Sequence, residues 1–323
     1  MNTKRTMLAS LAAALALLSF SLEASAKTKV GVISWNDGEP RYSTTYKRMV
    51  EEVGKEGMGD EITFVMMDAK GKKDQVPELI KKLKAQNVDI YLPLGTSAAV
   101  PTANEIKDKP VVIGMVYDPV ESKIAKDWKS SGNNVTGSSS HVSLPRFLRR
   151  LVKGSEGTFT IKRVAVPYTP GEKNSEIQLK AVQSAEAELG LQVTPVALSK
   201  PEELNKWLKG LAGSADLIMV TGSNFVSTNI NAIVDASVKA KIPTATHLDD
   251  LVERGVLFGL VADVDEVGTL TGKKLVQVVK GTEPSAIPIE APSPKLIINQ
   301  KTVQAGKFTI PPAIQQWASG AGS

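Results

Sequence analysis

The chain has 323 residues, 39 basic and 34 acidic, a formal net charge of +5 and no cysteine. That length is enough for two domains with full cores, and the lack of cysteine excludes disulfides, zinc–thiolate sites and cysteine nucleophiles. The lysines are scattered along helix faces ("ELIKKLKAQN", "KGKKDQ") with no aromatic interleaving, which argues against nucleic acid as a partner.

The amino terminus reads as an export signal. Lys4 and Arg5 precede an apolar run over residues 7–22, and Ala24-Ser25-Ala26 forms an A-x-A cleavage site before Lys27. The run is shorter than the roughly 20 residues a spanning helix needs. A chain cleaved after Ala26 and released into the periplasm is expected. It is not expected to be a lipoprotein, because no cysteine is present to carry the lipid.

From residue 29 the pattern alternates strand and helix. "KVGVISW" (29–35) is a short apolar run, and the next helix carries Tyr42, Tyr46, Met49, Val50 and Val53 on one face. Strand "EITFVMM", helix "QVPELIKKLKAQ", strand "DIYLPLG", a short helix from Ser97 and strand "PVVIGMVY" follow. Apolar strands alternating with helices predict a parallel, doubly wound α/β sheet. The second half echoes the first: "ADLIMVTGSN" answers "VDIYLPLGTS", with Asp89/Asp216 and Gly95/Gly222 each 127 residues apart. One α/β unit used twice predicts two lobes.

Ligands of open parallel sheets collect beyond the carboxyl ends of the strands. Thr96-Ser97 and Ser223-Asn224 stand at two equivalent strand ends, each opening a helix whose first amides suit an anionic oxygen. The competing reading is that these hydroxyls only cap their own helices. Trp35, Tyr117 and Tyr168 are aromatics at strand ends and suit a ring-bearing ligand; against that, Trp35 could simply pack on the following helix.

In order, "LGTSAA", "MVYDPVES", "NNVTG", "VPYTPGEKNS", "AKIPTATHLDDLVERG", "EVGTLTGKKLVQVVKG" and "LIINQKT" resemble the substrate-binding components of ABC transporters, in the family that includes tryptophan- and tyrosine-binding proteins. The resemblance runs from "KVGVISW" to "FTIPP" and implies a type I periplasmic-binding-protein fold: two doubly wound lobes joined by three hinge crossings, near residues 133–140, 246–251 and 287–295. The expected division is a signal peptide at 1–26, a first lobe of 27–139 plus 249–288, and a second lobe of 140–248 plus 289–323.

The implied function is that of a soluble, monomeric binding protein that hands a small ligand to an ABC permease and needs no cofactor or metal. A ligand-sensing subunit for a membrane receptor kinase is the alternative, since one cleft can serve both tasks. The resemblance places a ligand carboxylate on Thr96 and Ser97, with Tyr117 and Asp118 beside them. It assigns an ammonium group to an acid of the second lobe or hinge. Here the chain departs from the family, with Ser223 and Leu248 where acids are frequent, leaving Asp249 to compensate and His247 as a hydrogen-bonding neighbour. The expected ligand is a small carboxylate with an aromatic or planar part: an aromatic amino acid first, a deaminated or modified relative second. An enzyme is disfavoured. The two histidines, His141 and His247, make no H-E-x-x-H pair, and neither a G-x-S-x-G elbow nor a phosphate loop occurs.

Overall fold

The computed structural model describes residues 27–320; the export-signal reading falls on residues 1–26, outside the described residues. The first lobe runs β1 (Thr28–Ser34), α1 (Pro40–Lys55), β2 (Ile62–Asp68), α2 (Gln75–Ala85), β3 (Ile90–Leu94), α3 (Thr96–Glu105), β4 (Val111–Val116) and β5 (Val135–Ser139). The second continues with α4 (Leu144–Ser155), β6 (Arg163–Tyr168), α5 (Lys173–Gln183), α6 (Glu186–Leu189), β7 (Gln192–Ala197), α7 (Pro201–Lys209) and β8 (Leu217–Val220). It is extended by α8 (Asn224–Thr228), α9 (Ile230–Ala240), β9 (Thr244–Thr246), α10 (Asp249–Glu253) and β10 (Phe258–Val261). After these come α11 (Val264–Val279), β11 (Lys295–Ile298), α12 (Gln300–Gly306) and α13 (Pro312–Ala318).

The two sheets repeat one topology. The first has the order β2-β1-β3-β4-β5, and the second β7-β6-β8-β9-β10 with β11 added at the edge. All neighbours are parallel except β10 and β11. Strands β3, β4 and β8 are buried along their whole length because helices cover both faces, and they therefore read as continuous apolar runs. Edge strand β7 is largely open to solvent and keeps a mixed pattern.

The crossings correct the expected boundaries. The chain does not leave the second lobe at residues 246–251: β10 pairs with β9 and completes that sheet as its fifth strand, in the place β5 holds in the first. The return lies between Val261 and Val264, so residues 249–261 belong to the second lobe. Helix α11 then packs along α1 of the first lobe. Gly268 and Gly272, one turn apart, permit the approach: a Cβ on either would lie 2.7 Å from the Thr45 carbonyl oxygen or 2.9 Å from that of Met49. The third crossing runs beside β5, where Glu290 bridges Ser138, and Lys274 holds Glu290 at 2.7 Å. Among the described residues no helix is long and apolar enough to cross a membrane.

Candidate ligand cleft

The carboxyl ends of both sheets face one another, and the lobes touch. Arg41 of α1 places Nη1 at 2.8 and 2.9 Å from the two carboxylate oxygens of Asp250 on α10. Both side chains are about 95% buried, 4% and 5% exposed, and Glu39 also contacts the guanidinium. Lys73 Nζ donates to the Gly171 carbonyl at 3.1 Å across the mouth of the cleft. The rings of Tyr117 and His247, one from each lobe, meet edge to face at 4.9 Å. The structure is closed.

Between the lobes lies a cavity of about 20 Å³, room for a water molecule and no ring. Thr96, Met115 and Tyr117 line it from the first lobe, and Asn174, Gln178 and His247 from the second. Met115 reaches it through an irregularity. The pairing of β4 with β5 shifts register between Ile113 and Val116, and Met115 has φ 56°, rare for a residue with a side chain. Facing this bulge, Gly137 (φ 137°) lies so close that a Cβ would stand 2.0 Å from the Ile113 carbonyl oxygen.

Two polar atoms of residues lining this cavity, His247 Nδ1 and Asn174 Oδ1, are buried with no hydrogen-bond partner among the described residues. Unpaired buried polar groups are costly and mark places where a ligand or water completes the bonding. Burial, then Arg41 and His141, pushes His247 down to about 3, so its ring is neutral. A larger hollow of about 380 Å³ sits at the opposite ends of the second sheet's strands, near Phe159 and Phe308. No residue lining it has an unpartnered buried polar atom among the described residues.

The expected site residues separate into three groups. Thr96, Tyr117 and His247 line the cavity. Thr96 Oγ1 accepts from the Tyr117 amide at 3.0 Å, and the Tyr117 hydroxyl donates to the Val142 carbonyl at 2.9 Å. Asp118 lies in an adjoining hollow of about 370 Å³ that shares Tyr117; its Oδ1 accepts from the amides of Val120 and Glu121, and Oδ2 is 3.7 Å from His141 Nε2. Asp249 lines a separate hollow behind the Arg41–Asp250 pair, with burial and then Asp250 pushing its carboxyl up to about 6.

The remaining five do not line the cavity. Trp35 is 5% exposed and packs in the core, as its competing reading held, and Tyr168 packs against the same core half-buried. Ser97 is half-buried on α3. Ser223 is fully buried and caps α8: its Oγ accepts from the Val226 amide and meets Thr169 Oγ1. The Asn224 amide is taken by Glu172 Oε2 at 2.9 Å. The second of the two paired helix starts therefore presents no free anion site at Ser223-Asn224, because the chain's own groups satisfy it. Arg41, a polar residue of the loop and helix after β1, lines the cavity as well, and Tyr42, Asn174 and Gln178 were missed as lining residues. The signal for the last two was available, since amides at i and i+4 share one helix face.

Glu172, mostly buried, is pushed up to about 7 by burial, partly offset by the Asn224 amide, Arg41 and Lys73. The folded chain therefore holds this proton above the ordinary carboxylate range, so stability falls as pH rises from about 4.5 to about 7 and levels above that. Glu172→Gln carries no charge at any pH. Its melting temperature relative to the wild type is expected to climb between pH 5 and pH 8, and a gap independent of pH would contradict this origin of the shift.

Residues 29–320 match the family model described as ABC transporter substrate binding protein. A curated relative, the tyrosine-binding protein of Clostridioides difficile (strain R20291), is 26% identical over 248 residues, 76% of this chain and 71% of that protein. Among solved structures, an ABC domain from Streptococcus pneumonia in complex with L-Trp superposes with a TM-score of 0.81 at 27% identity, covering 91% of this chain and 99% of that one. A ligand-free, open substrate binding protein from Clostridium difficile superposes at 0.69 with 24% identity, covering 88% and 96%. The repeated lobes, the three crossings and these matches agree: the chain belongs to the ABC transporter substrate binding protein family and has the type I periplasmic-binding-protein fold.

Proposed function

We propose that this chain is the binding component of an ABC importer, exported to the periplasm. There it closes on one small carboxylate-bearing ligand with an aromatic or other planar part and delivers it to a membrane permease. The observation that carries the reading is the pair of unpartnered buried atoms, His247 Nδ1 and Asn174 Oδ1, at a cavity walled by both lobes. The aromatic ligands of two relatives, tyrosine in one and L-Trp in another, support the ligand class. The better superposition on the L-Trp complex than on the open, ligand-free structure supports closure as the ligand-holding state. A cavity of about 20 Å³ admits no ring, so the lobes open to load and then close around the ligand.

The test is a thermal-shift panel of aromatic amino acids, aromatic acids, sugars and purines. A ligand at a hundred times its Kd adds about 2.7 kcal/mol to the native state. Stabilisation by an aromatic carboxylate is expected. A response to sugars alone, with none to any carboxylate, would overturn the ligand class.

A further inference from the structure

The polarity of the cavity is written by one peptide unit, that of Gly222. Its N–H can only donate, and it does so to Gln178 Oε1 at 2.6 Å. Gln178 is therefore oriented with its NH₂ group toward His247, where Nε2 meets Nε2 at 3.0 Å. An amide nitrogen only donates, so His247 Nε2 accepts, and the neutral imidazole carries its proton on Nδ1. That N–H is the buried group left without a partner. On the other side, the Gly222 carbonyl can only accept, and it takes the Asn174 amide NH₂. Asn174 is thereby oriented too, and its Oδ1, a pure acceptor, is the second unpartnered atom. Asn174 and Gln178 stand one turn apart on α5, flanking Gly222, with their amide nitrogens each 3.3 Å from where its Cβ would be.

A ligand completing this site supplies an acceptor to His247 Nδ1–H and a donor to Asn174 Oδ1. The donor's charge follows from the walls. None of the eleven residues lining the cavity is acidic, and Arg41 is the only charged one. The acids around it are otherwise engaged: Asp250 and Glu39 hold Arg41, Glu172 holds the Asn224 amide, Asp118 sits in the adjoining hollow beside His141, and Asp249 lines the separate hollow behind the Arg41–Asp250 pair. An α-ammonium buried here would meet a neutral amide oxygen and no carboxylate in the lining, since the carboxylates of Asp250 and Glu39 are already paired with Arg41, and a charge buried without a counter-charge is costly. A hydroxyl or amide N–H in the same place meets Asn174 at no such cost.

We infer that His247, oriented by Gln178, and Asn174 form a neutral donor–acceptor pair that selects an acid whose second polar group is uncharged, such as an aromatic 2-hydroxy acid, over the corresponding zwitterionic amino acid. This rests on the proposed function for the carboxylate and the ring, and deepens it by fixing the state of the neighbouring group. Gln178 is a positioning residue; His247 and Asn174 touch the ligand.

Two measurements on the wild-type protein test the inference. The first is calorimetric titration with two matched pairs, L-tryptophan against indole-3-lactate and L-tyrosine against 4-hydroxyphenyllactate. At least tenfold tighter binding of the hydroxy acids is expected. Tighter binding of the amino acids would overturn the selectivity while leaving the proposed function standing. Binding of neither pair, with a sugar bound instead, would overturn both. The second is the ring-nitrogen spectrum of His247 by long-range proton–nitrogen NMR, tractable because the chain has two histidines and His141→Gln assigns the other. The Nδ1–H tautomer is expected, and an Nε2–H tautomer or an imidazolium at neutral pH would overturn the relay. Gln178→Glu, which cannot donate, is expected to move the proton to Nε2 and erase the preference for hydroxy acids. Retention of the Nδ1–H tautomer in that variant would show that Gln178 does not set it.

Discussion

Asp250→Ala is expected to loosen the closed cleft and weaken ligand binding by two to three orders of magnitude. Arg41 and Asp250 are both about 95% buried and belong to opposite lobes, 209 residues apart in sequence. Breaking a buried ion pair costs about 3–5 kcal/mol, and since Glu39 of the same lobe still contacts the guanidinium, the lower end of that range applies. In a single domain that cost would fall on folding. Here the lobes can separate and return Arg41 to water, so it falls on the open–closed equilibrium, and apparent affinity drops in proportion to the closed population. Small-angle scattering should show a larger radius of gyration for the variant, with the denaturation midpoint of each lobe little changed. Arg41→Met combined with Asp250→Leu removes both charges and should recover part of the loss. An unchanged radius and affinity in Asp250→Ala would show that the pair does not latch the lobes.

Gly137→Ala is expected to be the most damaging small substitution in the first lobe. The new methyl carbon would lie 2.0 Å from the carbonyl oxygen of Ile113 and 2.6 Å from its nitrogen, both backbone atoms of the neighbouring strand. Relief requires β4 and β5 to part where the bulge aims Met115 at the cavity. A loss of about 3 kcal/mol or more is expected, with ligand affinity falling alongside. Gly157→Ala is the control. Gly157 has φ 79° but nothing within 4 Å of its Cβ position, so only the backbone term of about 1 kcal/mol applies. Equal urea midpoints for the two variants would show that β5 yields more readily than its contacts imply.

The repeated topology was legible because it is carried by long apolar strands and by equivalent Gly-hydroxyl turns at Gly95 and Gly222. The position of the second crossing was not. Strand β10 is the four-residue "FGLV", whose period cannot distinguish strand from helix, and its counterpart in the first sheet, β5, is the polar "VTGSS". Only pairing with β9 assigns β10 to the second sheet. The lining of the cavity was legible where a residue sits at a strand end, as for Thr96, Tyr117 and His247. It was misread where a strand-end residue turns inward, as Trp35 does into the core, or where a hydroxyl serves its own helix, as Ser223 does. The i, i+4 spacing of Asn174 and Gln178 was legible, but their role was not, because it comes from the Gly222 peptide 48 and 44 residues away.

The reading of a cleft that closes on a ligand is tested most directly by a distance between the lobes. The chain has no cysteine, so spin labels at Lys81→Cys on α2 and Lys206→Cys on α7, both exposed positions, report without background. Pulsed dipolar spectroscopy is expected to give a broad or long distribution for ligand-free protein. It should collapse to one short, narrow distance, matching the closed structure, when the aromatic acid that raises the melting temperature is added at saturation. A distribution that the same stabilising ligand leaves unchanged would contradict closure around a ligand held between the lobes.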